Sequence, residues 1–160
     1  MIIKGLIDED FINYKKPSMV IEFPYCTFKC DKECGQPVCQ NSSLVNEPNI
    51  EISCEDIILR YINNPITEAI VFQGLEPFDS FGEMNNFLLW LQHQLHNQDD
   101  VVIYTGYTED EISTEVDMLK KIYSNIIIKF GRYIPNQEPH LDPILEVNLA
   151  SDNQYAKKIC

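Results

Sequence analysis

The chain has 160 residues, 44% of them apolar, and 25 acidic against 12 basic side chains give a formal charge of −13. This length and apolar content suit a single domain, residues 1–160, with its own core, and the acidic balance argues against a nucleic-acid partner, whose phosphates need basic surface. No apolar run approaches the roughly 20 residues of a membrane span, and MIIKGLIDEDF lacks the basic and apolar segments of a signal peptide.

The expected location is therefore cytoplasmic, where grouped cysteines more often bind metal or do redox work than form disulfides. PSMVIEFPYC predicts a first strand over Met19–Phe23 that feeds a loop carrying Cys26, Cys30, Cys34 and Cys39. ISCEDIILRYI then reads as a helix capped by Ser53, with Asp56 at capping-box spacing. EAIVFQG is an apolar run ended by Gly74, as in a buried parallel strand. A longer helix is predicted from Phe81 to Leu95, its apolar residues Met84, Phe87, Leu88, Leu91 and Leu95 sharing one face. VVIYTG reads as a third strand and TEDEISTEVDMLKKIY as a third helix, with Thr108 and Glu111 as a second capping box. NIIIKFG is a fourth strand, and ILEVNL suggests one more in a proline-rich tail.

Repeated strand–helix units with short connections predict an α/β fold with a mostly parallel sheet. Ligands in such sheets sit at the carboxyl ends of the strands. The cysteine loop, the GLEP segment and the TGY segment are thus expected to converge on one edge.

Cysteine thiolates hold zinc or iron–sulfur clusters. Four cysteines could complete a structural zinc site, but such sites usually pair close-spaced cysteines with a second pair about 12–20 residues away. Here three, three and four residues separate them in one continuous loop. A cluster held by only three thiolates leaves one iron open to a small molecule. Spacing alone leaves zinc and iron–sulfur both open, as it does a four-cysteine electron carrier.

The combination of Cys26-x3-Cys30, a third cysteine followed by Gln40-Asn41, GLEP after the next strand, IYTGYTEDEI and the closing LASDNQ resembles the radical S-adenosylmethionine enzymes. More narrowly, from Met19 to Ile159 the chain is similar to the activating enzymes of anaerobic ribonucleotide reductase. The resemblance implies a compact partial (β/α) barrel. It also implies a 4Fe-4S cluster on Cys26, Cys30 and Cys39, with Cys34 as alternative third ligand, and S-adenosylmethionine on the open iron. By the same resemblance Gly74, Leu75, Glu76 and Pro77 hold the amino group of the methionine part, Thr105 and Gly106 contact the sulfonium or ribose, and Ser151 and Asn153 belong to a tail that returns to the pocket. The implied partners are an anaerobic ribonucleotide reductase or another glycyl-radical protein, with flavodoxin or ferredoxin as electron donor. A radical enzyme acting on another substrate is the alternative.

Two features depart from the family's pattern. DKECGQPV lengthens the usual CxxxCxxC spacing, and INYKKPSM lacks the glycine-containing segment often found before the first strand. Arg132 reads equally as a carboxylate contact or a surface ion pair. His93 and His96 are expected to face solvent, His140 lies in a predicted loop, and Cys54 and Cys160 receive no role.

Overall fold

The computed structural model describes residues 1–94 and 99–160. In chain order the strands are β1 (Ile2–Ile3), β2 (Gly5–Asp10), β3 (Ser18–Phe23), β4 (Ile50–Glu51), β5 (Ala69–Gly74), β6 (Asp100–Tyr104), β7 (Ile126–Phe130), β8 (His140–Leu141), β9 (Asn148–Leu149) and β10 (Tyr155–Lys158). The helices are α1 (Lys29–Cys34), α2 (Cys54–Ile62), α3 (Phe81–Gln94) and α4 (Ser113–Leu119). The main sheet has the order β10-β7-β6-β5-β3-β2. The four predicted strands, β3, β5, β6 and β7, are its parallel centre, running in register from Ser18↔Ala69 to Tyr104↔Lys129. Two antiparallel strands, β2 and β10, close the edges. The fold is thus α/β with a mostly parallel sheet, consistent with a partial barrel of the expected type.

Register and pleat sort the side chains onto two faces. On the helix side, Ile21, Phe23, Phe72, Ile103, Ile128 and Phe130 pack with Met84, Phe87, Leu88 and Leu91 of α3 and with buried residues of α2 and α4. Phe72 makes edge contacts with Phe23 at 5.5 Å and with Phe87 at 5.6 Å. On the other face, Val20, Val71, Val102 and Ile127 form one apolar row, covered by Tyr14, Leu145, Leu149 and Ala156. One pleat nearer the carboxyl ends, that face turns polar, with Glu22 opposite Gln73 and Tyr104 opposite Lys129. The sheet therefore offers a dry floor with a polar strip at its functional edge.

The caps behave as the sequence implies at α2, where Ser53 Oγ accepts the Asp56 N–H at 3.0 Å. The third helix is shorter than predicted. Its first turn, Asp110–Ile112, is 3₁₀, and α4 ends at Leu119. Beyond it the chain turns to bury Tyr123, whose hydroxyl donates to the Asp99 carbonyl at 2.9 Å. The predicted end of α3, including Leu95, and His96 lie outside the described residues. His93 is exposed, whereas His140 belongs to β8 rather than a loop. Of ILEVNL only Asn148–Leu149 is strand, pairing with β8 in a short hairpin. No helix among the described residues is long and apolar enough to cross a membrane.

Asp142, 3% exposed, fastens this tail over the inner face. Its Oδ1 accepts the Ile144 and Leu145 N–H groups at 2.9 Å each, and its Oδ2 accepts the Ala156 N–H at 2.8 Å. Removing the carboxylate strands three donors, of which the buried Leu145 and Ala156 N–H groups each cost about 1–3 kcal/mol when unpaired. Asp142→Ala is expected to lower the melting temperature and to accelerate hydrogen exchange at Ile144, Leu145 and Ala156. Unchanged exchange at those amides would show that the tail is held by packing alone.

Candidate functional site

The cysteine segment leaves β3 and is not the simple loop that spacing suggests. Phe28 adopts a left-handed conformation, φ 52°, at the start of α1, a short helix that carries Cys30 and Cys34. For a bulky side chain this is a strained conformation. It turns the Phe28 N–H back to donate to Cys26 Sγ at 3.2 Å. Gly35, φ 68°, ends α1. Asp31 Oδ1 then accepts the Val38 and Cys39 N–H groups at 2.8 Å each, folding the extra residues so that the chain comes back with Cys39.

The GLEP segment is positioned by backbone. Gly74 has φ 101°, and a Cβ there would lie 2.7 Å from Phe23 N, so only glycine fits. Leu75 has no positive φ and donates its N–H to Phe23 O at 3.2 Å, which explains why leucine is tolerated there. Pro77, buried, opens the 3₁₀ turn Pro77–Ser80.

Glu76, 5% exposed, points inward. Its Oε1 accepts from the Thr105 hydroxyl at 2.7 Å and from Phe78 N–H at 3.1 Å, and its Oε2 accepts from Gly106 N–H at 2.9 Å. Burial raises its pKa to about 7, outweighing these three donors. Thr105 and Gly106 thus meet the GLEP segment through one carboxylate.

These segments enclose a cleft of about 220 Å³. Cys26, Cys30 and Cys39 line it together with Gly74, Leu75, Glu76, Thr105 and Gly106. Cys34 and Pro77 are not among the lining residues. The polar strip supplies Gln73, Tyr104 and Lys129, and the tail supplies Ala150 and Gln154. Ser151 and Asn153 are placed behind them. Ser151 Oγ accepts the Ile134 N–H at 3.3 Å, and Asn153 Nδ2 donates to Arg132 O at 2.9 Å. Asn41 Nδ2 donates to Gly74 O at 2.9 Å and ties the end of the cysteine loop to GLEP.

Sequence reasoning missed Gln73 and Lys129, and named Tyr104 and Gln154 only as members of the YTGY and SDNQ segments. The one available signal was a polar residue at the last inward position of each apolar strand. Lys129 is the most consequential of these. It is 7% exposed, and its Nζ donates to Gly131 O at 2.9 Å. Burial pushes its pKa down to about 8, against the pull of Glu76 and Cys30.

Burial pushes the Cys26 thiol up to about 12 and raises Cys30 and Cys39 as well. A backbone N–H offsets this at each sulfur, from Phe28 at Cys26, Tyr133 at Cys30 and Asn41 at Cys39. Such thiols stay protonated until a metal displaces the proton.

Residues 18–152 match the 4Fe-4S single cluster domain family. The chain belongs to that family, whose domain is typical of radical S-adenosylmethionine activases, and its cofactors are a 4Fe-4S cluster and S-adenosylmethionine. No curated protein and no solved structure matches the chain.

The residues present fit the cluster. Three thiols line one cleft, and the Phe28 N–H donates to Cys26 Sγ at 3.2 Å, a bond of the kind that tunes cluster sulfurs. Gly106 keeps space open between the segments, since a Cβ there would lie 3.6 Å from Cys30 Sγ and 3.6 Å from Glu76 Oε2.

A buried ammonium with one neutral acceptor is costly, and an apolar side chain of similar length relieves that cost. Lys129→Met is expected to melt higher than the parent at pH 7, by about 2–4 °C for each kcal/mol relieved. As pH rises from about 8 towards 10.5, the folded parent loses a proton that the unfolded chain keeps, so the parent gains stability and the gap narrows. Calorimetry of the metal-free protein at both ends of that window checks this. A lower melting temperature, or a gap independent of pH, would show that neighbouring groups already compensate the charge.

Proposed function

We propose that this member of the 4Fe-4S single cluster family is an activase that generates a glycyl radical on an anaerobic ribonucleotide reductase. The observation that carries the reading is the meeting of three thiols, the GLEP segment and the TGY segment around one cleft at the carboxyl edge of the sheet. When bound and reduced, the cluster supplies the electron that splits S-adenosylmethionine into methionine and a 5′-deoxyadenosyl radical.

In this reading Cys26, Cys30 and Cys39 hold the cluster. The Gly74 and Leu75 backbone and Glu76 receive the ammonium of the methionine part, a group that favours the ionised carboxylate against its burial. Lys129 supplies a cation for the ligand's carboxylate, which a buried ammonium recognises strongly in a desolvated cleft. Tyr104, Thr105 and Gln154 offer hydroxyl and amide groups for the remaining polar atoms. The apolar row of Val20, Val71, Val102 and Ile127 lies beneath the polar strip and keeps water from entering through the sheet. A flavodoxin or ferredoxin supplies the electron, and the reductase supplies the glycine.

The test starts from protein reconstituted anaerobically with iron and sulfide. The parent is expected to take up a cluster, to form 5′-deoxyadenosine on reduction with S-adenosylmethionine, and to install a glycyl-radical resonance on an added anaerobic ribonucleotide reductase. Cys39→Ala should lose the cluster and reduce product to background, whereas Cys34→Ala should keep both. A colourless protein holding one zinc ion would overturn the whole reading. Product without a radical on the reductase would move the target to another substrate, and cluster loss only in Cys34→Ala would reassign the third ligand.

A further inference from the structure

The outer side of the cysteine segment is held by a network of charges that the reading above leaves unused. Arg132 follows Gly131 at the end of β7, and its side chain is 9% exposed. Its guanidinium grips Glu111 with both prongs, Nη1 to Oε2 at 2.8 Å and Nη2 to Oε1 at 2.6 Å. Its Nε lies 3.2 Å from Oε1 of Glu33 on α1, in ion-pair range but without hydrogen-bond geometry. Glu111 also takes Lys29 of α1 at 3.3 Å and the Thr108 N–H at 2.9 Å. The Arg132 hydrogen bonds hold the Glu111 carboxyl down at about 2, so it stays ionised at neutral pH.

The Tyr107 ring lies between these groups. Lys29 Nζ is 4.3 Å and Arg132 Cζ 5.7 Å from its centroid, both within cation–π range. Its hydroxyl donates to Asp79 Oδ1 at 2.6 Å, and Asp79 Oδ2 accepts the Thr27 N–H at 2.6 Å. Thr27 is therefore tied to the turn after β5, and α1 to Arg132 beyond β7 and Glu111 in the turn before α4.

Arg132 is also close to the thiols. A Cβ built on Gly106 would lie 3.6 Å from Arg132 Cγ and 3.6 Å from Cys30 Sγ, so the two atoms flank the same point. Arg132, Cys26 and Cys30 line one small gap of about 20 Å³.

We propose that Arg132 is a positioning residue for the cluster: through Glu33 and Glu111 it holds α1 in place, and it keeps a positive charge beside Cys30. This inference rests on the functional reading above and adds to it a determinant of cluster stability and potential. Reduction adds one negative charge to the cluster, and a nearby, largely desolvated cation favours the reduced state. Glu111 neutralises most of that cation. The two partners therefore have opposite effects on potential and the same effect on the loop.

The experiment compares the parent with Arg132→Gln, Arg132→Lys and Glu111→Gln, reconstituted anaerobically and checked for folding by circular dichroism. Two readouts do not depend on turnover, the cluster midpoint potential and hydrogen exchange of the α1 amides in the metal-free protein. Arg132→Gln should lower the potential, Glu111→Gln should raise it, and both should speed exchange over Lys29–Cys34 about tenfold. Arg132→Lys should keep the potential near the parent's while exchange still rises, because an ammonium keeps the charge and loses the fork. Potentials that move in the same direction in Arg132→Gln and Glu111→Gln would overturn the role of charge, and unchanged exchange would overturn the role in positioning. If the parent itself assembles no cluster, the functional reading fails; if it does and the variants match it, this inference alone fails.

Discussion

One buried carboxylate joins the parts of the site. Glu76 sits where two parallel strands end, and hydrophobic packing gives no reason for an acid there. Its two oxygens take three donors, one from its own turn and two from the segment after β6. Those bonds are what make burial tolerable, since a buried acid without partners costs several kcal/mol. They also fix the spacing between the GLEP segment and the TGY segment. Gly74 is forced to be glycine by the approach of β3, and Gly106 is small where Cys30 and Glu76 come close. Removing the carboxylate would leave the Thr105 hydroxyl and two N–H groups unsatisfied around a cleft that needs a defined width.

A second constraint is the local reversal of charge. The chain as a whole carries −13, yet Lys129 is placed inside the cleft and Arg132 and Lys29 outside it, around the thiols. Three thiolates around a metal site add negative charge, and cations fixed at short range offset it without changing the acidic surface. The inner cation is held by a carbonyl and remains available to a ligand. The outer ones are paired with Glu111 and Glu33, so they act on the loop's position as well as on the charge beside the thiols. Net charge reports on solubility and partners, whereas these pairs report on chemistry.

The central architecture was legible because it rests on strong local signals. Val-, Ile- and Phe-rich runs bounded by glycine or by a capping residue become β3, β5, β6, β7, α2 and α3. The edge strands were not legible. GLIDED and YAKK are short and polar, and they are strands only because β3 and β7 offer unpaired backbone groups beside them. Lys129 was hidden for a related reason. A lysine near the end of IIIKF reads as a side chain reaching for solvent, and only the tail crossing the inner face makes it a buried cation. Gln154 lines the cleft while Ser151 and Asn153 stand behind it, a distinction set by the turn's geometry rather than its composition. Arg132 left two readings open from sequence, and the fork to Glu111 could be seen only once β7 and the turn before α4 were placed side by side.

The lengthened cysteine spacing illustrates how sequence distance and spatial distance separate. Eight residues stand between Cys30 and Cys39, enough to carry the third thiol away from the first two if the chain ran extended. The structure uses four of them to finish α1, whose rise is only about 1.5 Å per residue. Gly35 then reverses the chain, and a single oxygen of Asp31 takes two successive amides to close the return. A helix turn, a left-handed cap and a long-range closure by the Asp31 carboxylate thus absorb the added length. The insertion lengthens the outer wall of the site, where Glu33 becomes available to Arg132, without moving Cys39 out of the cleft. Cys34 lies on that added wall, so its presence in the motif follows from the helix and does not by itself require a place among the metal's ligands.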